Sequence, residues 1–182
     1  MKNTREDILS FWFTETTPAQ WFQVSPLFDE MVRTKFLDHF LLADRGYVDD
    51  WANSADGALA LILTFDQFPR NMFRDTPQQY ETDAKALKIA ELAIERGFDQ
   101  VMTPLKRRFF YLPFEHSEDL DHQYRSVELF GKMKNDDPMG VEYAERHLRV
   151  IEQFGRFPHR NKILGRESTP AEETFLKTVG KY

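Results

Sequence analysis

The chain has no cysteine. That absence excludes disulfide staples, thiolate zinc sites and cysteine nucleophiles together. Positive charge is also short: 24 lysines and arginines face 30 aspartates and glutamates, for a formal net charge of −6. A surface of that sign argues against broad nucleic-acid or anionic-membrane binding, which needs a basic face. Long apolar runs are missing too. The longest, Ala58 to Leu63, is far too short to span a bilayer. The opening MKNTREDILSFWF lacks the basic start and long apolar stretch of a signal peptide, so a cytoplasmic location is expected. No alternation of period two is sustained, so no strand is predicted.

What is present reads as ordinary globular material. Of 182 residues, 41% are hydrophobic and 30% charged, which fits a single domain over 1–182. The 17 phenylalanines suit a core of packed helices. Helix starts are frequent. Thr-Pro occurs at 17–18, 76–77, 103–104 and 169–170, and Gln20, Gln79 and Glu172 follow their threonines by three residues. Threonine, proline and then Gln/Glu is a capping box, which satisfies orphan N–H groups reciprocally. Thr4, Ser25-Pro26, Ser117 and Asp137-Pro138 read as further starts. ADRGY and IERGF read as stops, with glycine in a left-handed cap and an aromatic after it.

The apolar period between these signals is helical. Tyr80, Ala84, Leu87, Ala90 or Glu91, and Ile94 step by three and four, as do Tyr143, His147, Val150 or Ile151, and Phe154. Opposite the second stripe, Glu142–Arg146, Glu145–Arg149 and Glu152–Arg156 are spaced for i,i+4 ion pairs. The expected long helices are 26–45 paired with 54–68, 77–96 with 104–112, and 118–133 with 138–157, with shorter ones at 4–12 and 170–179. The fold class is therefore all-α, as irregular stacked helix hairpins in a solenoid-like arrangement without a sheet.

One phrase occurs twice. FDQFPRN starts at Phe65 and FGRFPHRN at Phe154. In each, two phenylalanines three apart share the last turn of a helix, and Pro69 or Pro158 ends it. All four phenylalanines are expected to be buried. The polar ending is not required by a helix stop. Asp66 and Gln67 close an apolar helix and need partners, and Arg70 is the nearest candidate for Asp66.

DQFPRNMFRDTP, RRFFYLPFEHSE and FGRFPHRN…LGREST together resemble the signatures of a bacterial family of uncharacterised proteins, domain of unknown function 924. The resemblance runs from Ile8 to about Leu176 and preserves the order of three separate motifs. It implies an all-α, tetratricopeptide-like fold and no activity. The signature positions fall on Asp66, Gln67, Pro69, Arg70 and Asn71, on Tyr111, Pro113, His116, Ser117 and Glu118, and on Gly155, Arg156, Pro158, His159, Arg160 and Asn161. Signatures this polar imply a shared site rather than only a shared core.

Several chemistries can be weighed on these residues. Ser117, between His116 and Glu118, has no nucleophile-elbow pattern around it. It reads as the cap of the next helix, with Glu118 in the first turn. His116, His147, His159 and Glu118 lack the spacing that puts two metal ligands on one helical face, so no metal is predicted. His147 reads as a hydrogen-bonded core histidine. No cofactor motif is present. The expected site is a polar pocket or groove of Arg70, Asn71, His116, Glu118, Arg156, His159, Arg160 and Asn161. Arginine forks grip carboxylate or phosphate bidentately. The expected function is a helical-repeat binding module for a peptide, a protein or a small anionic ligand. The alternative is a small-molecule enzyme with His116 or His159 as general acid/base and arginines as anion clamps.

Overall fold

A computed structural model describes residues 3–178. The described residues contain helices and no strand. They divide into two compact units, one running to Arg74 and resuming over Gln78–Pro113, the other comprising Asp75–Pro77 and the chain from Phe114 onward.

The first unit contains α1 (Arg5–Ser10), α2 (Pro18–Phe22), α3 (Pro26–Asp44), α4 (Ala55–Ile62), α5 (Phe68–Met72), α6 (Asp83–Glu95) and most of α7 (Pro104–Glu115). Local chemistry sets the starts. Thr4 and Asp7 form a capping box on α1. Ser25 Oγ accepts from the Phe28 N–H at the head of α3. The core is aromatic: Phe36 stacks on Phe68 at 4.6 Å and meets Phe11 edge-on at 4.9 Å. The α6 helix buries Ala86, Ala90 and Ala93, a stripe rotated from the expected Tyr80–Ile94 face. Small side chains let it lie close against α4, which is its principal neighbour in place of α7. The expected start at Thr76 opens only a 3₁₀ turn over Pro77–Tyr80, and α6 begins after Thr82.

The second unit contains α8 (Leu120–Gly131), α9 (Pro138–Phe154) and α10 (Pro170–Thr178). Asp119, not Ser117, caps α8, accepting from the N–H groups of Asp121 and His122. Asp137 caps α9 through the Gly140 N–H. A Cβ at Gly140 would stand 2.7 Å from Phe130 Cδ1, so glycine permits the close α8–α9 packing. The α9 face buries Ala144, His147, Val150 and Ile151, while Tyr143 stays exposed.

The repeated phrase encodes two different structures. At Phe65 the helix does not stop. It passes through a π turn over Leu63–Gln67 and continues as α5, with Pro69 inside it. Pro69 has no N–H for the Phe65 carbonyl, four residues back. The Thr82 hydroxyl donates to that carbonyl instead, at 2.6 Å. The π turn widens the ladder by one residue and makes room for the ring. At Phe154 the helix ends four residues before its proline, Pro158. Gly155, which aligns with Asp66, turns left-handed at φ +66° and its N–H caps Ile151 O at 2.8 Å. Phe157 is then extended ahead of Pro158, as proline demands of its predecessor. Phe65, Phe68 and Phe157 are buried as expected, but Phe154 is only half-buried, against Phe175. Gly155→Ala should cost about 1–2 kcal/mol through the left-handed conformation alone, since no heavy atom lies within 4 Å of the new methyl. Chemical denaturation checks it, and an unchanged midpoint would refute this account of the stop.

Candidate functional site

In the second unit, the segment after α9 folds back through a 3₁₀ turn, Pro158–Arg160. This turn brings together five of the eight expected site residues. Glu118 is their anchor. Its Oε1 accepts the Phe157 N–H at 2.8 Å, and Arg166 grips both oxygens, Nη1 to Oε2 at 2.6 Å and Nη2 to Oε1 at 2.9 Å. Burial opposes the charge of Glu118, but Arg166, the Phe157 N–H and Arg160 outweigh it and hold the carboxyl below its ordinary value. Arg166 Nε also donates to Asn161 Oδ1 at 2.9 Å, and Asn161 Nδ2 to Ser168 Oγ at 3.1 Å.

Arg160 is 7% exposed and donates from Nη2 to the His116 carbonyl at 2.9 Å. Its guanidinium carbon lies 4.6 Å from the centroid of the Phe157 ring. The same ring meets His147 edge-on at 5.5 Å and His159 at 5.8 Å. Three basic side chains thus surround one buried phenylalanine. His147 itself is neutral. Burial, followed by the nearby His116, Arg160 and His159, pushes its pKa down to about 3 against the pull of the Tyr143 carbonyl. That carbonyl lies 2.8 Å from Nδ1 and can only accept, so Nδ1 carries the proton. Glu115 Oε1 stands 3.5 Å from the same nitrogen. His147 is therefore the core histidine that its stripe implied.

Arg156 sits on a neighbouring feature. It is bidentate on Glu172, Nε to Oε1 at 2.7 Å and Nη2 to Oε2 at 2.9 Å, and not paired with Glu152 as the helical spacing suggested. Glu152 instead accepts from the Tyr124 hydroxyl at 3.0 Å. Glu172 also takes the Thr169 N–H at 2.7 Å and completes the expected capping box on α10. The pair floors a shallow depression of about 490 Å³ lined by Gln153, Phe154, Thr169 and Ala171. Arg156 is the main reason that the Glu172 pKa falls to about 2, with the Thr169 N–H adding to it and burial opposing. A depressed carboxylate stabilises the fold above its ordinary value of 4.5 and loses that contribution as pH falls towards about 2. Glu172→Gln should flatten the loss of stability over this window. Denaturation midpoints of both proteins between pH 6 and pH 2 should therefore converge, and parallel curves would refute the assignment.

Arg70 and Asn71 belong to the first unit. Arg70 is bidentate on Asp83, at 2.7 and 2.9 Å, and lies 3.3 Å from Asp66 Oδ1. Burial opposes its charge, but the two carboxylates outweigh it and raise its pKa. Asn71 Nδ2 donates to Asp29 Oδ1 at 2.8 Å, and Arg74 grips the same carboxylate from Nε and Nη2. So the sequence-based pairing of Asp66 with Arg70 is present, with Asp83 as an unforeseen second acid.

Sequence reasoning missed Arg166, Glu115 and Asp83, and it read Glu172 only as a cap residue, not as the partner of Arg156. Only Arg166 carried a visible signal, as the arginine of LGREST. The partners of the others lie far away in sequence. Among the described residues, no three His, Cys, Asp or Glu side chains are grouped to hold a metal ion, and no helix is long and apolar enough to cross a membrane.

Comparison with known proteins places this architecture among relatives. Residues 8–180 match the model of the family described as "Bacterial protein of unknown function (DUF924)". A solved structure, that of the protein of unknown function ATU0120 from Agrobacterium tumefaciens, is similar at 42% identity and a TM-score of 0.89, over 95% of this chain and 96% of that one. No curated protein matches.

Proposed function

The chain belongs to this bacterial family of unknown function, and from that premise we propose that it is a non-catalytic binding module. It takes a carboxylate or phosphate, borne by a small anion, a peptide or a protein, at the basic cluster around Phe157. One observation carries this reading: Arg160, His159 and His147 gather on a single buried ring in a chain of net charge −6. Arg160 keeps its charge when buried, and the His159 imidazole beside it can donate without adding a fixed charge of its own, while His147, its one proton committed to the Tyr143 carbonyl, only lines the ring. The Arg160 guanidinium supplies a fixed positive charge at this ring in a chain whose net charge is negative. His116 and Glu118 act by positioning: the first holds Arg160 through its carbonyl, the second fixes Phe157 through its N–H. The tetratricopeptide-like character, the cytoplasmic setting and the absence of nucleic-acid partners belong to the same proposal, supported by the helical architecture and the acidic charge.

The test is a thermal-shift screen of the full chain with di- and tricarboxylates, phosphomonoesters and short peptides ending in Asp or Glu. A ligand at ten times its Kd should raise Tm by about 3–5 °C. The shift should vanish in Arg160→Met/His159→Gln while circular dichroism stays helical. If no compound shifts the wild type more than the double variant, the reading is wrong.

A further inference from the structure

Arg156 is the one expected site residue of the second unit that lies outside the group gathered by the Pro158–Arg160 turn. It lines the depression of about 490 Å³ instead, with Gln153, Phe154, Thr169, Ala171 and Glu172. That volume falls within the range of small-molecule sites. A guanidinium carries five N–H groups in a fixed fork. In Arg156, Nε donates to Glu172, and Nη2 donates to Glu172 and to the Glu167 carbonyl, the latter at 2.8 Å. Nη1, with two N–H groups, has no partner among the described residues. The amide of Gln153, an exposed lining residue, makes no hydrogen bond among them either. The donors in question belong to side chains, since Thr169 already caps the first turn of α10: its Oγ1 accepts the Glu172 N–H and its carbonyl the Glu173 N–H.

The acid of the depression is already engaged. Glu172 is 2% exposed; its Oε1 accepts from Arg156 Nε, and its Oε2 from Arg156 Nη2 and the Thr169 N–H. Arg156 and Glu172 cancel one another's charge, and what the pair still offers is the N–H groups of Nη1. The apolar wall is the half-buried ring of Phe154, braced by Phe175 at 5.1 Å, with the Ala171 methyl beside it in the lining. The surroundings are acidic. Glu152 precedes Gln153, Glu173 follows Glu172, and Glu167 holds Arg156 through its carbonyl, so four glutamates accompany one arginine.

We propose that this depression binds an uncharged, planar aromatic amide, its carbonyl oxygen on Arg156 Nη1, its amide N–H on the Gln153 side chain and its ring against Phe154. Charge and hydrogen-bonding capacity decide between ligand classes. An anion would meet an ion pair of no net charge within an acidic border. A cation would meet Arg156, and the one buried carboxylate has its oxygens occupied. An uncharged amide matches what remains: an acceptor for the N–H groups of Nη1, a donor for the Gln153 carbonyl, and a flat face for an aromatic wall.

The probes are benzamide, benzoate and benzylamine, which share one ring and differ in charge near pH 7. Titration of the full chain, followed by ligand-observed saturation-transfer NMR, should give a Kd on the order of 1 mM for benzamide. Benzoate and benzylamine should bind about fivefold more weakly or not at all. Ala171→Trp places a large ring on an exposed lining position and should abolish benzamide binding with Tm unchanged. Gln153→Leu, also on an exposed position, should weaken it about threefold. Arg156→Lys keeps a cation for Glu172 but lacks Nη1, and should weaken it about fivefold while circular dichroism stays helical. The Ala171 and Gln153 variants carry the test if Arg156→Lys does not fold. Benzoate or benzylamine binding as tightly as benzamide, no benzamide binding up to about 20 mM, or a titration indifferent to Ala171→Trp would overturn the proposal.

Discussion

Phe68→Ala should lower the stability of the chain by about 3–5 kcal/mol, the cost of emptying a fully buried aromatic site. Phe68 is 0% exposed. It stacks on Phe36 at 4.6 Å and meets the Trp12 ring at 5.7 Å, so two large neighbours line the cavity and neither can fill it. The backbone cannot relax inward either, because the residue is pinned between the π turn of Leu63–Gln67 and Pro69. Its counterpart by simple repetition of the phrase is Phe157, and Phe65 has Phe154. Yet Phe154 is only half-buried, so Phe154→Ala should cost about 1 kcal/mol. Urea denaturation in the full chain measures the Phe68→Ala loss, and it measures the difference between Phe154→Ala and its true counterpart Phe65→Ala, whose ring is fully buried. Equal losses would mean that the two phrases fold alike, against the geometry described.

This contrast also marks how far the sequence could be read. Starts were legible where cap and target lie within three residues, as at Thr4, Ser25, Asp137 and Thr169, because that chemistry is local. Glycine stops were legible for the same reason: Gly46 and Gly97 take φ +84° and +72°. The aromatic after each was a weaker guide, since Tyr47 is 65% exposed. What failed needed distant partners. Pro69 could stay helical only because Thr82, from a separate turn, takes over the Phe65 carbonyl. Arg156 had a partner at ideal i,i+4 spacing and chose Glu172 across a loop, where the carboxylate is buried and the bond bidentate. At the candidate site, Glu118, Arg160 and Asn161 were legible as polar residues without a structural reason to recur. Arg166 stood in the LGREST motif, but its role in tying Glu118 to Asn161 was not legible, because a lone arginine in a loop is usually solvated.

Arg70→Met should be as damaging as Phe68→Ala, at about 3–5 kcal/mol near pH 7, for an electrostatic reason. Asp66 is 0% exposed and Asp83 largely buried, and both carboxylates face the one guanidinium. The guanidinium also donates to the Asp66 carbonyl and lies 5.8 Å from the Tyr80 ring, so methionine would replace the stem but none of the donors. Removing the charge takes away the cation that offsets the burial of Asp66, although the Gln67 amide still donates to it at 2.6 Å. The pH dependence separates this from mere loss of packing. In the wild type the arginine keeps its charge throughout, because its pKa is raised. In Arg70→Met the buried carboxylate should take up a proton more readily than an unfolded aspartate does, which raises its pKa. A raised carboxylate pKa costs stability above that value, and the cost shrinks as pH falls through it. The gap between wild type and variant should therefore narrow from pH 7 to pH 5. Asp66→Asn in the same background should remove most of that narrowing and recover part of the loss. If the gap is constant with pH and Asp66→Asn recovers nothing, Arg70 acts by packing and the carboxylate network does not hold the turn.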